Sequence, residues 1–178
     1  YLKPPQELVT QWCTLIQHDS NFKVGIMWKR NEQQVQNPAE RMSIPFALFD
    51  PLTKIPGVSL YCLQQATEQE TSSCTYRDLI TLCGAGFPEN NDGLLELAAL
   101  MKNLDLVITL DCCAAHIAGA IGIPVWVILP TRADYRWIID RQNFPWYPNM
   151  RLFKQTTCGD WNTTMNTVIK EVISLVKK

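Results

Sequence analysis

The chain has 178 residues, 47% of them hydrophobic and 19% charged, and carries a formal net charge of −1. That is enough apolar content to fill the core of one globular domain and too much for a disordered chain. The near-neutral balance argues against a broad basic surface for nucleic acid or anionic membrane, so any anion the protein binds is captured locally.

The first predicted element is an amphipathic helix over 4–18, with Leu8, Val9, Trp12, Leu15 and Ile16 on one face. It reads as a lead-in or linker from an upstream region, residues 1–20, with the main domain at 21–178 and a joint near Ser20. "KVGIMW" at 23–28 is a buried strand, followed by a long polar loop, "KRNEQQVQNPAERM". A helix is expected from Pro45 to Pro56-Gly57, then the strand "VSLYCLQ", a polar connector, the short strand "LITLCG", and a helix from Asp92, "GLLELAALMKN". The strand "LDLVITL", a small-residue helix from about Cys112 to Ile121, the strand "PVWVIL", an aromatic loop, the strand "RLFKQ" and a closing helix capped by Asp160 complete the chain. Alternating strands and helices predict an α/β, Rossmann-like, doubly wound parallel sheet with helices on both faces.

Residues 104–130 are apolar enough to resemble a membrane span. An aspartate near the middle costs roughly 2.5–3.5 kcal/mol on insertion scales, and Gly122 and Pro124 interrupt the run, so a buried parallel strand is the better reading and no span is expected. Seven cysteines, an odd number without CxxC spacing, favour reduced thiols and a cytoplasmic setting. The chain starts at Tyr1 with no signal-peptide pattern and reads as a fragment of a longer protein.

In an open parallel sheet, ligands bind beyond the carboxyl ends of the strands, where helix N-termini offer free amides. Asp111 falls at that edge, followed by the small residues Cys112, Cys113, Ala114 and Ala115, which let a phosphate approach the backbone. Asp111 would repel the phosphate itself, so it either caps the helix or accepts hydrogen bonds from ligand hydroxyls, as a sugar beside a diphosphate would supply. Lys29, Arg30 and Arg41 in the first loop lie at the same edge and can neutralise a diphosphate, or form a solvated loop. Gln64 and Gln65 end the second strand there and read a base or ribose, or face water.

Cys112 and His116 are spaced i, i+4, and a thiol at a helix start has a lowered pKa, so a cysteine nucleophile at Cys112 is a competing reading. Zinc is disfavoured, because adjacent helical cysteines diverge and no second ligand pair is spaced to complete a tetrahedron. Tyr135, Trp137, Trp146 and Tyr147 in the aromatic loop are expected to pack as core, and Arg132 and Arg136 reach the cleft only if that loop folds inward.

With these residues placed, the chain resembles the C-terminal, donor-binding half of GT-B glycosyltransferases of the heptosyltransferase-like family, particularly bacterial forms fused to tetratricopeptide repeats. The likeness runs through "FKVGIMWKRN", "RMSIPFALFDPL", "PGVSLYCLQ", "LDLVITLDCCAAHIAGAIGIPVWVILP" and "DYRWIIDRQNFPWYPNMRLFKQ". It implies that a nucleotide diphosphate sugar binds here without metal or other cofactor. Asp111 matches the sugar-contacting acid, Cys112 and Cys113 the phosphate-facing turn, and His116 the motif histidine. Lys29, Asn31 and Arg41 fall in the first loop, and Gln64 and Gln65 near the nucleoside.

The resemblance also implies that the acceptor site and catalytic base belong to an N-terminal domain, so that this half alone does not turn over substrate. The chain departs from the pattern at Cys112, where the family has threonine, and at Arg30, in Trp28-Lys29-Arg30, where it has glycine. Those departures support a rival reading, a degenerate, non-catalytic module for protein or glycan binding.

Overall fold

The computed structural model describes residues 2–29, 43–65, 79–84, 87–88, 92–137 and 146–177. Of the residues singled out above, Arg30, Asn31 and Arg41 lie outside them, as do Cys74 and part of the aromatic loop. The described elements are α1 (Gln6–Ile16), β1 (Phe22–Ile26), a 3-10 turn (Phe46–Phe49) running into the short α2 (Asp50–Thr53), β2 (Val58–Cys62) and β3 (Ile80–Leu82). They continue with α3 (Asp92–Met101), β4 (Leu106–Leu110), α4 (Cys113–Ile121), β5 (Val125–Leu129), a 3-10 turn (Tyr135–Trp137), β6 (Met150–Lys154) and α5 (Trp161–Val176).

The six strands form one sheet in the order β3-β2-β1-β4-β5-β6, every described pairing parallel. This is the α/β Rossmann-like architecture that the alternating pattern predicts. Strands β4 and β5, "LVITL" and "VWVIL", are buried along their whole length, which a sheet covered on both faces requires. Their side chains alternate between two cores. Val107, Val125, Val127 and Leu129 pack with Leu97, Leu100 and Met101 of α3 and Ala114, Ala115 and Ala118 of α4. Leu106, Ile108, Leu110 and Ile128 pack on the other face with Phe46, Phe49, Leu52 and Met165, Val168 and Val172 of α5.

Helix α1 docks on the first of these faces. The Trp12 indole Nε1 donates to Glu96 Oε2 at 2.6 Å, Asn103 Nδ2 donates to the Val9 carbonyl at 3.1 Å, and the Leu2 amide donates to the Ala120 carbonyl at 3.1 Å. The turn after α1 is fixed by Tyr61, whose hydroxyl donates to Asp19 Oδ2 at 2.6 Å. Asp160 caps α5 as expected, accepting from the Thr163 amide at 3.1 Å. No helix among the described residues is long and apolar enough to cross a membrane.

Two expectations are corrected. The helix expected from Pro45 opens as a 3-10 turn before its single α-helical turn. The helix expected to start at Cys112 starts at Cys113, with extended Cys112 (φ −154°, ψ 178°) in the N-cap position and not Asp111.

The aromatic loop divides. Trp137 is fully buried, whereas Tyr135 and Trp146 are 87% and 70% exposed. Tyr147 lies across α4 at Gly119, where an added Cβ would stand 2.5 Å from the ring's Cγ. Alanine for glycine in a helix interior normally stabilises, but here the overpacking decides the sign. Gly119→Ala is therefore expected to lower stability by about 1–3 kcal/mol. A thermal or urea midpoint unchanged or raised in this variant would mean that Tyr147 does not seat on α4.

Candidate functional site

The strand order puts consecutive β1, β2 and β3 on one side of the sheet and β4, β5 and β6 on the other, so direction reverses between β1 and β4. In such sheets the crevice beyond the carboxyl ends at the reversal is the ligand site. Here β1 delivers Met27, Trp28 and Lys29 to that rim, with the Met27 amide donating to the Ile108 carbonyl of β4 at 3.0 Å. From β4 come Asp111, Cys112 and the start of α4.

The first loop leaves and returns at one point. The Ile44 amide donates to the Trp28 carbonyl at 2.8 Å, and Lys29 bridges Ser43 in antiparallel fashion. Gln64 fastens this point to β2, its Oε1 accepting from the amides of Trp28 at 2.8 Å and Lys29 at 3.2 Å. The chain behind Gln64 is crossed by Gly84, where an added Cβ would meet the Gln64 carbonyl at 2.2 Å. Gln64, expected as a nucleoside contact or a solvated amide, thus spends its oxygen on two backbone donors, while its buried Nε2 has no hydrogen-bond partner among the described residues. Its neighbour Gln65 is exposed.

Asp111 is buried, 6% exposed, at the carboxyl end of β4. Its charge reaches both His116 and Arg136. The His116 imidazole stacks on Trp137 (centroids 5.2 Å, planes 23°) and meets the edge of Tyr147 (6.0 Å, 62°). Burial, and then the Arg136 charge, lower its pKa against the opposing pull of Asp111. The ring is therefore neutral at pH 7 and offers one donor and one acceptor. Arg136 is exposed and pinned by Asp134, with Nε to Oδ1 at 3.0 Å. Arg136 is thus in electrostatic reach of His116 and Asp111; Arg132 is exposed as well.

The two cysteines have different roles from those the spacing suggests. The Cys112 sulfur engages β4 and the residue just after β1. Thr109 Oγ1 lies 3.2 Å from it, and its proton has Met27 Sδ at 3.4 Å and the Cys113 sulfur as acceptors. The hydrogen bond to Cys113 and burial raise its pKa well above the ordinary thiol range.

Cys113 is the exposed one. The hydrogen bond from Cys112, aided by the amides of Ala114 and of Cys113 itself, overcomes desolvation and lowers its pKa to about 6. The competing reading of Cys112 as a thiol nucleophile is therefore not supported: because the helix begins one residue later, the exposed thiol with the lowered pKa is Cys113. Thr109 and Met27, which hold Cys112, were not legible as site residues. A lone polar side chain inside an apolar strand was the only signal for Thr109. Among the described residues no group of three or more His, Cys, Asp or Glu side chains is placed to hold a metal ion.

This arrangement belongs to the class of Rossmann-like α/β domains with a switch-point crevice, and its fold is one that glycosyltransferases carry. No protein-family model matches the chain. The structure is similar to glycosyl transferase family 9 from Veillonella parvula (TM-score 0.67, 16% identity), covering 98% of this chain and 53% of that one. It is also similar to ADP-heptose LPS heptosyltransferase II of E. coli (TM-score 0.63, 15% identity; 99% and 53% covered). A third similar structure is Anabaena Alr3699/HepE in complex with UDP and glucose (TM-score 0.52, 15% identity; 94% and 44% covered). In sequence, the chain is 29% identical over 172 residues to protein FlbA of Caulobacter vibrioides, covering 94% of this chain and 28% of FlbA. The chain therefore spans just over a quarter of the curated relative it matches and about half of the solved chains.

The contrast between the two thiols is measurable. With a pKa of about 6, half of Cys113 is thiolate at pH 6, against about 0.3% of an ordinary thiol. Discounted for the weaker nucleophilicity of a low-pKa thiolate, the net advantage in exchange with a small disulfide reagent is about tenfold at pH 6 and about twofold at pH 7. Cys113 is expected to lead the exposed Cys13 and Cys158 by these margins, and Cys112 to lag. The same shift makes stability rise with pH from about 6 towards the ordinary thiol range, and that contribution is lost as pH falls through about 6. Peptide mapping that finds no pH-dependent lead for Cys113 would remove the assignment.

Proposed function

We propose that the chain is the donor-binding, C-terminal half of a GT-B glycosyltransferase of the heptosyltransferase-like kind. The observation that carries this reading is the shared rim, where the first-loop anchor at Lys29 and the Asp111–His116 turn meet at the sheet's reversal point. In this reading the diphosphate of a nucleotide sugar lies on the amides at the start of α4. Lys29 and Arg136 supply positive charge, joined by Asn31 and Arg41 from the first loop. Asp111 accepts hydrogen bonds from sugar hydroxyls, neutral His116 donates one towards the phosphates, and Gln64 and Gln65 border the nucleoside. These groups stabilise the charge that develops on the departing diphosphate, and no metal is required.

Catalysis then needs the partner half, which brings acceptor and base, so this half alone transfers no hexosyl or heptosyl group. That the solved glycosyltransferases are about twice as long as the region matched supports the division. That Alr3699/HepE was captured with UDP-glucose supports the ligand class. The full protein is proposed to be bacterial and cytoplasmic, with an upstream domain containing helical repeats.

The second reading, a non-catalytic module, is favoured by one observation. Where the family has a threonine, the Cys112 thiol is engaged with Thr109 and Met27 and not offered to the crevice.

A thermal-shift series separates the two. Under the first reading, nucleotide diphosphates raise the unfolding temperature, by the equivalent of about 2.7 kcal/mol at a hundredfold excess over Kd, and the matching nucleotide sugar raises it further. In Asp111→Asn the bare nucleotide still binds, while the increment due to the sugar falls by about 1.5–3 kcal/mol, the loss of hydrogen bonds to a charged acceptor. No shift with any nucleotide or nucleotide sugar would leave the non-catalytic module standing.

A further inference from the structure

The segment beyond β3 reaches the same rim as Gln64, yet the sheet holds it weakly. β3 is an edge strand of three residues, paired with β2, and of the three only Ile80 is buried. Past it the Cys83 amide donates to the Cys62 carbonyl at 3.1 Å and the Phe87 amide to the Gly84 carbonyl at 3.3 Å. Segments with so few buried bonds open readily unless side chains secure them. Here Gly84 crosses Gln64 so closely that an added Cβ would overlap its carbonyl, and the Pro88 carbonyl likewise leaves no room for a Cβ at Gly93 of α3. A further contact comes from α1, where Trp12 meets the Phe87 ring edge on, centroids 5.7 Å apart and planes at 71°. Because α3 connects the end of β3 to the start of β4, it runs from the carboxyl edge of the sheet to the amino edge. The bonds from Asn103 to Val9 and from Leu2 to Ala120 therefore fasten α1 at the amino edge. Trp12 reaches the other way, its indole aimed by the 2.6 Å bond to Glu96 midway along α3.

We propose that Trp12 is a positioning residue for the nucleoside end of the crevice, and that α1 braces the exit of β3 through it. This rests on the donor-binding reading, in which Gln64 borders the nucleoside. Trp12 backs Phe87, the turn keeps its seat on α3, and Gly84 stays against the Gln64 backbone. Gln64 Oε1 then receives the amides of Trp28 and Lys29 at the root of the first loop, and its buried Nε2, without a partner among the described residues, is kept for a ligand. Contacts packed end to end in this way carry a displacement from α1 to the rim. Without the brace, the turn depends on two backbone bonds and a three-residue strand. Gln64 gains room to move, and the two rim amides lose their acceptor. A nucleotide must then order the rim as it binds, which costs affinity.

The test compares the parent chain with Trp12→Leu, which removes both ring edge and indole donor, with Glu96→Ala, and with Glu96→Gln, which keeps an oxygen for the indole. Amide hydrogen exchange, resolved by residue, is measured without ligand, and the Kd for ADP and for UDP by titration calorimetry. In Trp12→Leu the amides of Cys83, Phe87, Trp28 and Lys29 should exchange about tenfold faster, those of β5 and β6 should not change, and the Kd of whichever nucleotide binds should rise about tenfold. Glu96→Ala should show the same pattern at about threefold, and Glu96→Gln should match the parent. Glu96 is a half-buried residue on a helix surface, so its variants decide the matter should Trp12→Leu fail to fold. Exchange at Trp28 and Lys29 that stays at the parent rate, or that rises equally in β5 and β6, overturns the brace. So does a Kd equal to the parent's while the rim exchanges faster. A parent chain that binds neither nucleotide brings down the donor-binding reading and the positioning role with it, whereas a parent and variants that bind equally well overturn the role of Trp12 alone.

Discussion

The pairing of β1 with β4 governs the rest of the molecule. Val24, Gly25 and Ile26 lie in register with Leu106, Val107 and Ile108, and the Met27 amide extends the ladder by one more bond. Because these strands are parallel but not consecutive, the chain must cross over on opposite faces on either side of them, leaving a crevice that no crossover covers. The tight approach is visible at Gly25, where a Cβ would stand 2.6 Å from Leu104 and 2.8 Å from Leu63 side-chain carbons. A side chain there would have to push the ends of those two leucines aside. The juxtaposition of Lys29 with Asp111 is therefore a consequence of strand order and needs no direct contact between them.

Much of this was legible in the residues. Apolar runs of five rich in β-branched residues, such as "LVITL" and "VWVIL", read as strands covered on both sides once Asp111, Gly122 and Pro124 argue against a membrane span, and the alternation with helical segments points to a parallel sheet. The same-edge placement of the first loop and Asp111 follows from that sheet alone. What was not legible depends on helix phase. Moving the start of α4 from Cys112 to Cys113 turns the first thiol towards Thr109 and Met27 and makes the second the exposed one. Spacing rules assume that both partners are helical, and Cys112 is not, so the facing of Cys112 and His116 that their i, i+4 spacing allows loses its basis. Gln64 illustrates a different limit. A polar residue at a strand end serves a ligand, water or the backbone equally well on pattern, and only coordinates reveal that its oxygen is taken by Trp28 and Lys29.

The aromatic residues beyond β5 separate by what they can reach. Trp137 covers the imidazole of His116, and Tyr147 lies along α4 where Gly119 makes room. His116 is thereby kept out of bulk water on two sides, which accounts for its neutrality near pH 7 more than its charged neighbours do. An imidazole whose protonation is set by two neighbouring rings responds to any displacement of Trp137 or Tyr147.

The two feet of the first loop stand side by side, Trp28 against Ile44 and Lys29 against Ser43, and Gln64 bolts them to the neighbouring strand. A hairpin root of this kind decouples whatever it carries from the scaffold beneath. Doubling the number of residues strung between the feet costs only about 0.6 kcal/mol in closure entropy and leaves the sheet unstrained. Evolution can thus rewrite the length and chemistry of that excursion while the framework stays as it is.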